Sequence, residues 1–136
     1  MRVVTRGCAF LFLMCALACG STSTMPSPVT SVYGSWQNVN SNTPAVTRAT
    51  INTDGTMLVA HLWGQCIPEC DWGTSSVPQS SVVNNAFSLV WNQDFVIRTQ
   101  QVALQSNGQL QIATHSHYVD GSGRVDNDFT DLFVKQ

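Results

Sequence analysis

Charge is scarce in this chain. Only 10% of its 136 residues are Asp, Glu, Lys or Arg, and only six are basic. Two of the six, Arg2 and Arg6, lie at the extreme N-terminus; Arg48, Arg98, Arg124 and Lys135 are scattered. Nucleic-acid binding needs a basic stripe to neutralise phosphates, and none is present. Nor is there a polybasic patch for anionic lipid headgroups. Helical patterning is also missing. No window of a dozen residues combines apolar spacing at i, i+3 and i+4 with a capping residue. No internal repeat is visible. The G-x-S-x-G elbow of serine hydrolases is absent, and no register of an EF-hand fits. The apolar run Ala9–Ala18 falls well short of the ~20 residues a membrane-spanning helix needs.

That run has another use. Arg2 and Arg6 precede it, Ala16-Leu17-Ala18 supplies small residues for a peptidase, and Cys19 follows. A short positive region, a brief apolar core and a small-residue site make a secretory signal peptide over residues 1–18. Small residues before a cysteine also resemble the lipobox of bacterial lipoproteins, although Ala16 and Leu17 depart from the usual order. By that resemblance Cys19 becomes the lipidated first residue, and the protein is anchored to a membrane of the cell envelope. The alternative is plain cleavage after Ala18 and release to the exterior. Cysteine counting favours the anchor. Of five cysteines, Cys8 and Cys15 leave with the signal. If Cys19 carries lipid, Cys66 and Cys70 remain as an even pair in an oxidising compartment.

Residues 19–31 are rich in Ser, Thr and Pro and read as a tether. Residues 32–136 then form one domain. With the leader removed, four cations face eight carboxylates, a net charge of −4. The composition of the domain is rich in Val, Thr, Ser, Asn and Gln, which favours strands. Asn52-Thr53-Asp54-Gly55 and Gln105-Ser106-Asn107-Gly108-Gln109 read as tight hairpins, because Asp-Gly and Asn-Gly tolerate positive φ. Strands are expected near 32–39, 45–52, 56–64, 86–92, 95–105, 109–119 and 128–135, with a possible eighth at 80–84. The segment 64–78 reads as a loop. The fold class is all-β: an antiparallel meander of seven or eight strands, an up-and-down barrel or rolled sheet.

Alternation sharpens two strands. Leu58, Ala60 and Leu62 share one face; Met57, Val59, His61 and Trp63 share the other, which needs cover from a loop, a partner or a ligand. Leu110, Ile112, Thr114, Ser116 and Tyr118 oppose Gln111, Ala113, His115, His117 and Val119.

Gly34-Ser35-Trp36 resembles the G-x-W start of lipocalins and avidins, both barrels that hold a small ligand in the mouth. Gly34-Ser35-Trp36-Gln37-Asn38 is also similar to the first strand of avidins, which would give Asn38 a ligand contact. The later Trp, Tyr and Asp positions of a biotin site are not found. Trp63 to Gly73 resembles a segment of small exported bacterial proteins, a likeness that implies no activity.

Cys66 and Cys70 are expected to form a disulfide pinning their loop; a redox pair or metal ligands are the alternatives. His115 and His117 project from one face of one strand, as two ligands of a zinc or copper ion would, and His61 is a third candidate if its strand lies beside theirs. Asp120, Asp126, Asp128 and Asp131 offer oxygens to a weak calcium site, or Asp126 and Asp128 pair with Arg124. His117 with Asp120 is a possible acid–base pair. Among four tryptophans, Trp36, Trp63, Trp72 and Trp91, an exposed Trp72 beside Asp71 would stack on a sugar or flat ligand. The candidate ligand contacts are therefore Trp72, Asp71, Trp63 and Asn38, with no resident cofactor expected. The resulting expectation is a binding module for a small molecule, glycan or envelope protein. A purely structural envelope lipoprotein and a small metal-dependent barrel enzyme are the alternatives.

Overall fold

The computed structural model describes residues 31–136. The expected signal peptide and Cys19 lie outside the described residues. Eight strands form one sheet: β1 (Gly34–Asn38), β2 (Val46–Thr53), β3 (Met57–Gly64), β4 (Cys70–Pro78), β5 (Ala86–Asn92), β6 (Val96–Leu104), β7 (Leu110–Tyr118) and β8 (Asn127–Lys135). Their order is β4-β3-β2-β1-β8-β7-β6-β5, antiparallel throughout. β1 pairs with both β2 and β8, which joins the two ends of the meander. β4 and β5 are the two edges. They meet across a seam bridged by the Ser75 hydroxyl, which donates to the Val90 carbonyl at 2.9 Å. The result is a nearly closed up-and-down barrel whose two edge strands face each other across the seam.

Two hairpin turns sit where Asp-Gly and Asn-Gly place them. Gly55 has φ +92° and Gly108 has φ +82°, a region that costs glycine nothing. The Asp54 carboxylate accepts from the Thr56 and Met57 amides at 2.8 Å each. These bonds, that of Met57 first, hold its pKa below the ordinary value.

Two expectations need correction. Residues 80–84 are not a strand. Gln79–Ser81 form a single 3-10 turn, and Val83 and Ala86 bridge across Asn84 and Asn85, both at positive φ. That is tight-turn chemistry, which asparagine tolerates. The segment 64–78 is not simply a loop, because Cys70–Pro78 is the edge strand β4. Its Gly, Ser and Pro residues give no apolar alternation. An edge strand paired on one side accepts such residues, including a terminal proline.

Inward residues alternate along each strand as expected for β3 and β7. Leu58, Ala60, Leu62, Leu110 and Ile112 are essentially solvent-free, with Trp36, Ile51, Leu89 and Phe133 beside them. Fully burying one such large side chain is worth roughly 1.5–3 kcal/mol. The outer face of β3 is covered by its own neighbours. Trp63 stacks on His61 at 3.9 Å, and the Arg48 guanidinium lies 3.5 Å from the Trp63 ring centroid.

The barrel has two different ends. At the end where the described chain begins, the Trp36 indole donates to the Val32 carbonyl at 2.7 Å, folding residues 32–33 across the opening. Val32 is solvent-free, and the Lys135 ammonium lies 5.5 Å from the Trp36 ring centroid. This end is closed and apolar. Towards the other end the interior turns polar. Gln100 accepts from the Trp91 indole at 2.8 Å and donates to the Thr114 hydroxyl at 3.0 Å. Asp131 accepts from Asn38 at 2.8 Å and Thr43 at 2.6 Å, tying the β1–β2 loop to β8. Among the described residues no helix is long and apolar enough to cross a membrane.

Candidate functional site

The open end is bounded by the β1–β2, β3–β4, β5–β6 and β7–β8 connections. Inside it lies a cavity of about 250 Å³, walled by Trp72, Arg98, Ser116, Tyr118, Asn127 and Phe129, with Thr114 below and Pro44 and Ala45 above. A second recess of about 370 Å³ shares Pro44, Trp72 and Arg98 with it. It runs outward past Asp71, Gln93 and Phe95 to the Cys66–Cys70 loop. Together they form one mouth.

Two local irregularities aim Trp72 into that mouth. The β3–β4 register shifts between Leu62 and Trp63, so that Leu62 faces Gly73 while Trp63 faces Asp71. Trp72 is the extra residue of this bulge, and bulges re-aim side chains in this way. The neighbouring Gly64 leaves the space. A Cβ built there would fall 2.7 Å and 2.9 Å from the Trp72 indole carbons Cε2 and Cζ2. The disulfide between Cys66 and Cys70, with Cα atoms 5.2 Å apart, fixes the turn that starts β4.

Arg98 crosses the floor of the mouth. Its guanidinium lies 4.3 Å from the Trp72 ring centroid and 6.0 Å from that of Phe95. It is half-buried. Among the described residues no carboxylate pairs with it and no side-chain hydrogen bond holds it. Desolvation lowers its pKa from the usual arginine value, the Tyr118 phenol opposes that shift, and the Arg124 charge reinforces it. Arginine stays protonated regardless. Arg124 stands at the rim, 4.2 Å from the Tyr118 ring centroid and 5.3 Å from that of Phe95, and it pairs with Asp120. Hydrogen bonds from Ser122, then Arg124, pull the Asp120 pKa down to about 2.

The residues singled out in the sequence divide. Trp72 and Asp71 reach the mouth, though the Asp71 carboxylate is bonded to His61 at 2.5 Å. That bond is the largest cause of the lowered Asp71 pKa. Trp63 lies on the outer wall. Asn38 lies inside, but its amide donates to Val46 and Asp131 while its oxygen accepts from the Asn40 amide. Its hydrogen-bonding groups are thus occupied by protein. His61 on β3 is separated from His115 and His117 on β7 by β2, β1 and β8. The strand adjacency that a three-histidine site required is therefore absent. His115 and His117 bind Asp128 at 2.9 Å and Asp126 at 2.8 Å on the outer face. The His117 bond leads the lowering of the Asp126 pKa. The partner of His117 is Asp126, not Asp120, and the partner of Arg124 is Asp120, not Asp126 or Asp128. Asp131 is buried in the barrel, away from the three exposed aspartates, so the four do not converge on a calcium ion. Among the described residues no group of three or more His, Cys, Asp or Glu side chains is placed to hold a metal.

Arg98 was missed as a site residue. Its signal was present: Val96, Arg98, Gln100 and Val102 alternate on one strand face, and a charge on a core-facing row needs a reason.

No family model, curated protein or solved structure matches this chain. The mouth must be read from its own geometry.

Proposed function

We propose that this protein is a small-ligand-binding barrel of the bacterial cell envelope, exported by residues 1–18 and anchored through a lipidated Cys19. The observation that carries the binding reading is the mouth. The barrel keeps a cavity of about 250 Å³ at one end, with an indole and a guanidinium that has no ion pair among the described residues in its wall. A concave site with a few convergent polar groups in an apolar frame is the general form of a small-molecule pocket. The described chain begins at the closed end of the barrel, opposite the mouth. The metal-dependent alternative has no ligand cluster among the described residues to rest on.

The test is a thermal-shift screen of soluble small molecules, run on the mature chain and on Ser116→Leu, whose larger side chain projects into the cavity. Compounds that raise the Tm of the first and not of the second support the reading. Compounds that stabilise both equally bind elsewhere and contradict it.

A further inference from the structure

Of the four cations among the described residues, three have partners. Arg48 binds Glu69 at 2.7 Å, Arg124 binds Asp120, and the Lys135 ammonium reaches the Ser31 carbonyl at 3.5 Å. Arg98 lies over the Trp72 and Phe95 rings and has no ion pair or side-chain hydrogen bond among the described residues. No carboxylate side chain of the described residues lines the inner cavity; Asp71 lines the recess that shares Arg98 with it, and is bonded to His61. Arg98 is half withdrawn from water, which costs part of its hydration, and stacking on an indole offsets some of that cost. A ligand that brings one negative charge removes the remainder. The planar guanidinium fork matches a carboxylate, which it binds through two parallel hydrogen bonds. Arg124 is already paired with Asp120, so Arg98 is the one guanidinium at the mouth without a carboxylate partner among the described residues.

The rest of the cavity specifies the remainder of the molecule. Trp72 and Phe129 are wall residues, and Ser116 and Tyr118 supply hydroxyls. The volume of about 250 Å³ suits one ring or two fused rings. Aromatic rings prefer offset stacking on such a wall. We infer that the mouth takes a planar monocarboxylic acid, its carboxylate on Arg98 and its ring against Trp72; this rests on the ligand-binding reading above.

The test uses isothermal titration of the mature chain with 2-naphthoate, with its neutral isostere 2-naphthamide, and with inorganic phosphate. The acid is expected to bind at least tenfold more tightly than either comparison compound. In Arg98→Gln the affinity for the acid should fall roughly 10- to 100-fold, to that of the amide, as expected for hydrogen bonds to a charged group. Arg98→Lys should recover part of the loss. Equal affinity for acid and amide, or no loss in a folded Arg98→Gln, overturns the carboxylate assignment while leaving a ligand-binding mouth intact. Phosphate binding as tightly as naphthoate overturns the ring assignment. If neither naphthyl compound binds while the screen still finds compounds that Ser116→Leu excludes, the ligand class is wrong and the pocket is right. Should Arg98→Gln fail to fold, the acid-to-amide ratio on the unaltered chain decides.

Discussion

Replacing Gln100 by Leu probes the polar floor beneath the mouth. Gln100 is completely buried and makes two hydrogen bonds inside the barrel. Leu keeps the approximate volume and removes both. Each neutral bond contributes about 0.5–1.5 kcal/mol net, but the larger effect is the group left behind. Trp91 is 4% exposed, so its indole N–H cannot turn to water. An orphaned buried donor costs about 1–3 kcal/mol. The Thr114 hydroxyl can rotate and loses less. The apolar Leu side chain recovers part of the total, leaving an expected loss of about 2–3 kcal/mol. For a domain of this size that lowers the Tm by on the order of 10 °C. Urea unfolding of Gln100→Leu, Trp91→Phe and the double variant makes a complete cycle. The double variant should be less destabilised than the sum of the singles by about 1 kcal/mol, because Phe leaves no donor to orphan. A Gln100→Leu variant within about 0.5 kcal/mol of the unaltered chain, or strict additivity in the cycle, would show that the Gln100 bonds do not hold the floor.

Gly64→Ala should push the Trp72 indole out of the mouth, since a Cβ there overlaps it; overpacking of this kind costs about 1–3 kcal/mol and should shift the tryptophan emission. Removing the disulfide in Cys66→Ser/Cys70→Ser should cost about 2 kcal/mol in urea unfolding, the value for a loop this short, and an unchanged midpoint would count against a pinning role. Asp54, Glu69, Asp71, Asp120 and Asp126 all have pKa values lowered in the folded state. Their contribution is therefore complete above the unfolded carboxylate range, near pH 4, and is lost as the pH falls through the folded values, down to about 2 for Asp120. Acid titration followed by circular dichroism should show stability falling in that window. In Ser122→Ala the Asp120 carboxyl should titrate closer to 3.8, read by carbon NMR.

The hairpins and the core rows were legible because their signals are local. Asp54-Gly55 and Asn107-Gly108 encode the turns, and period-two alternation encodes which face of β3 and β7 is buried. β4 was not legible, because its register depends on a bulge at Trp72 and on pairing with β3. Cys70-Asp71-Trp72-Gly73 carries no alternation of its own. The mouth was half legible. Trp72 stood out as an aromatic beside a constrained loop, but its inward direction is a product of the bulge and of the space above Gly64. Arg98 is a single charge whose meaning depends on which carboxylates fold near it, and only tertiary structure decides that. The histidine site failed for the same reason: two-residue spacing places His115 and His117 on one face, but strand order decides what joins them.

Binding in the barrel mouth is tested by nitrogen-15 NMR of the mature chain during addition of 2-naphthoate. The Trp72 indole and Arg98 side-chain resonances should shift together, while the Trp36 indole at the closed end and the Trp63 indole on the outer wall stay in place. Shifts centred on Trp63, or spread over all four indoles without Arg98, would contradict a binding site in the barrel mouth.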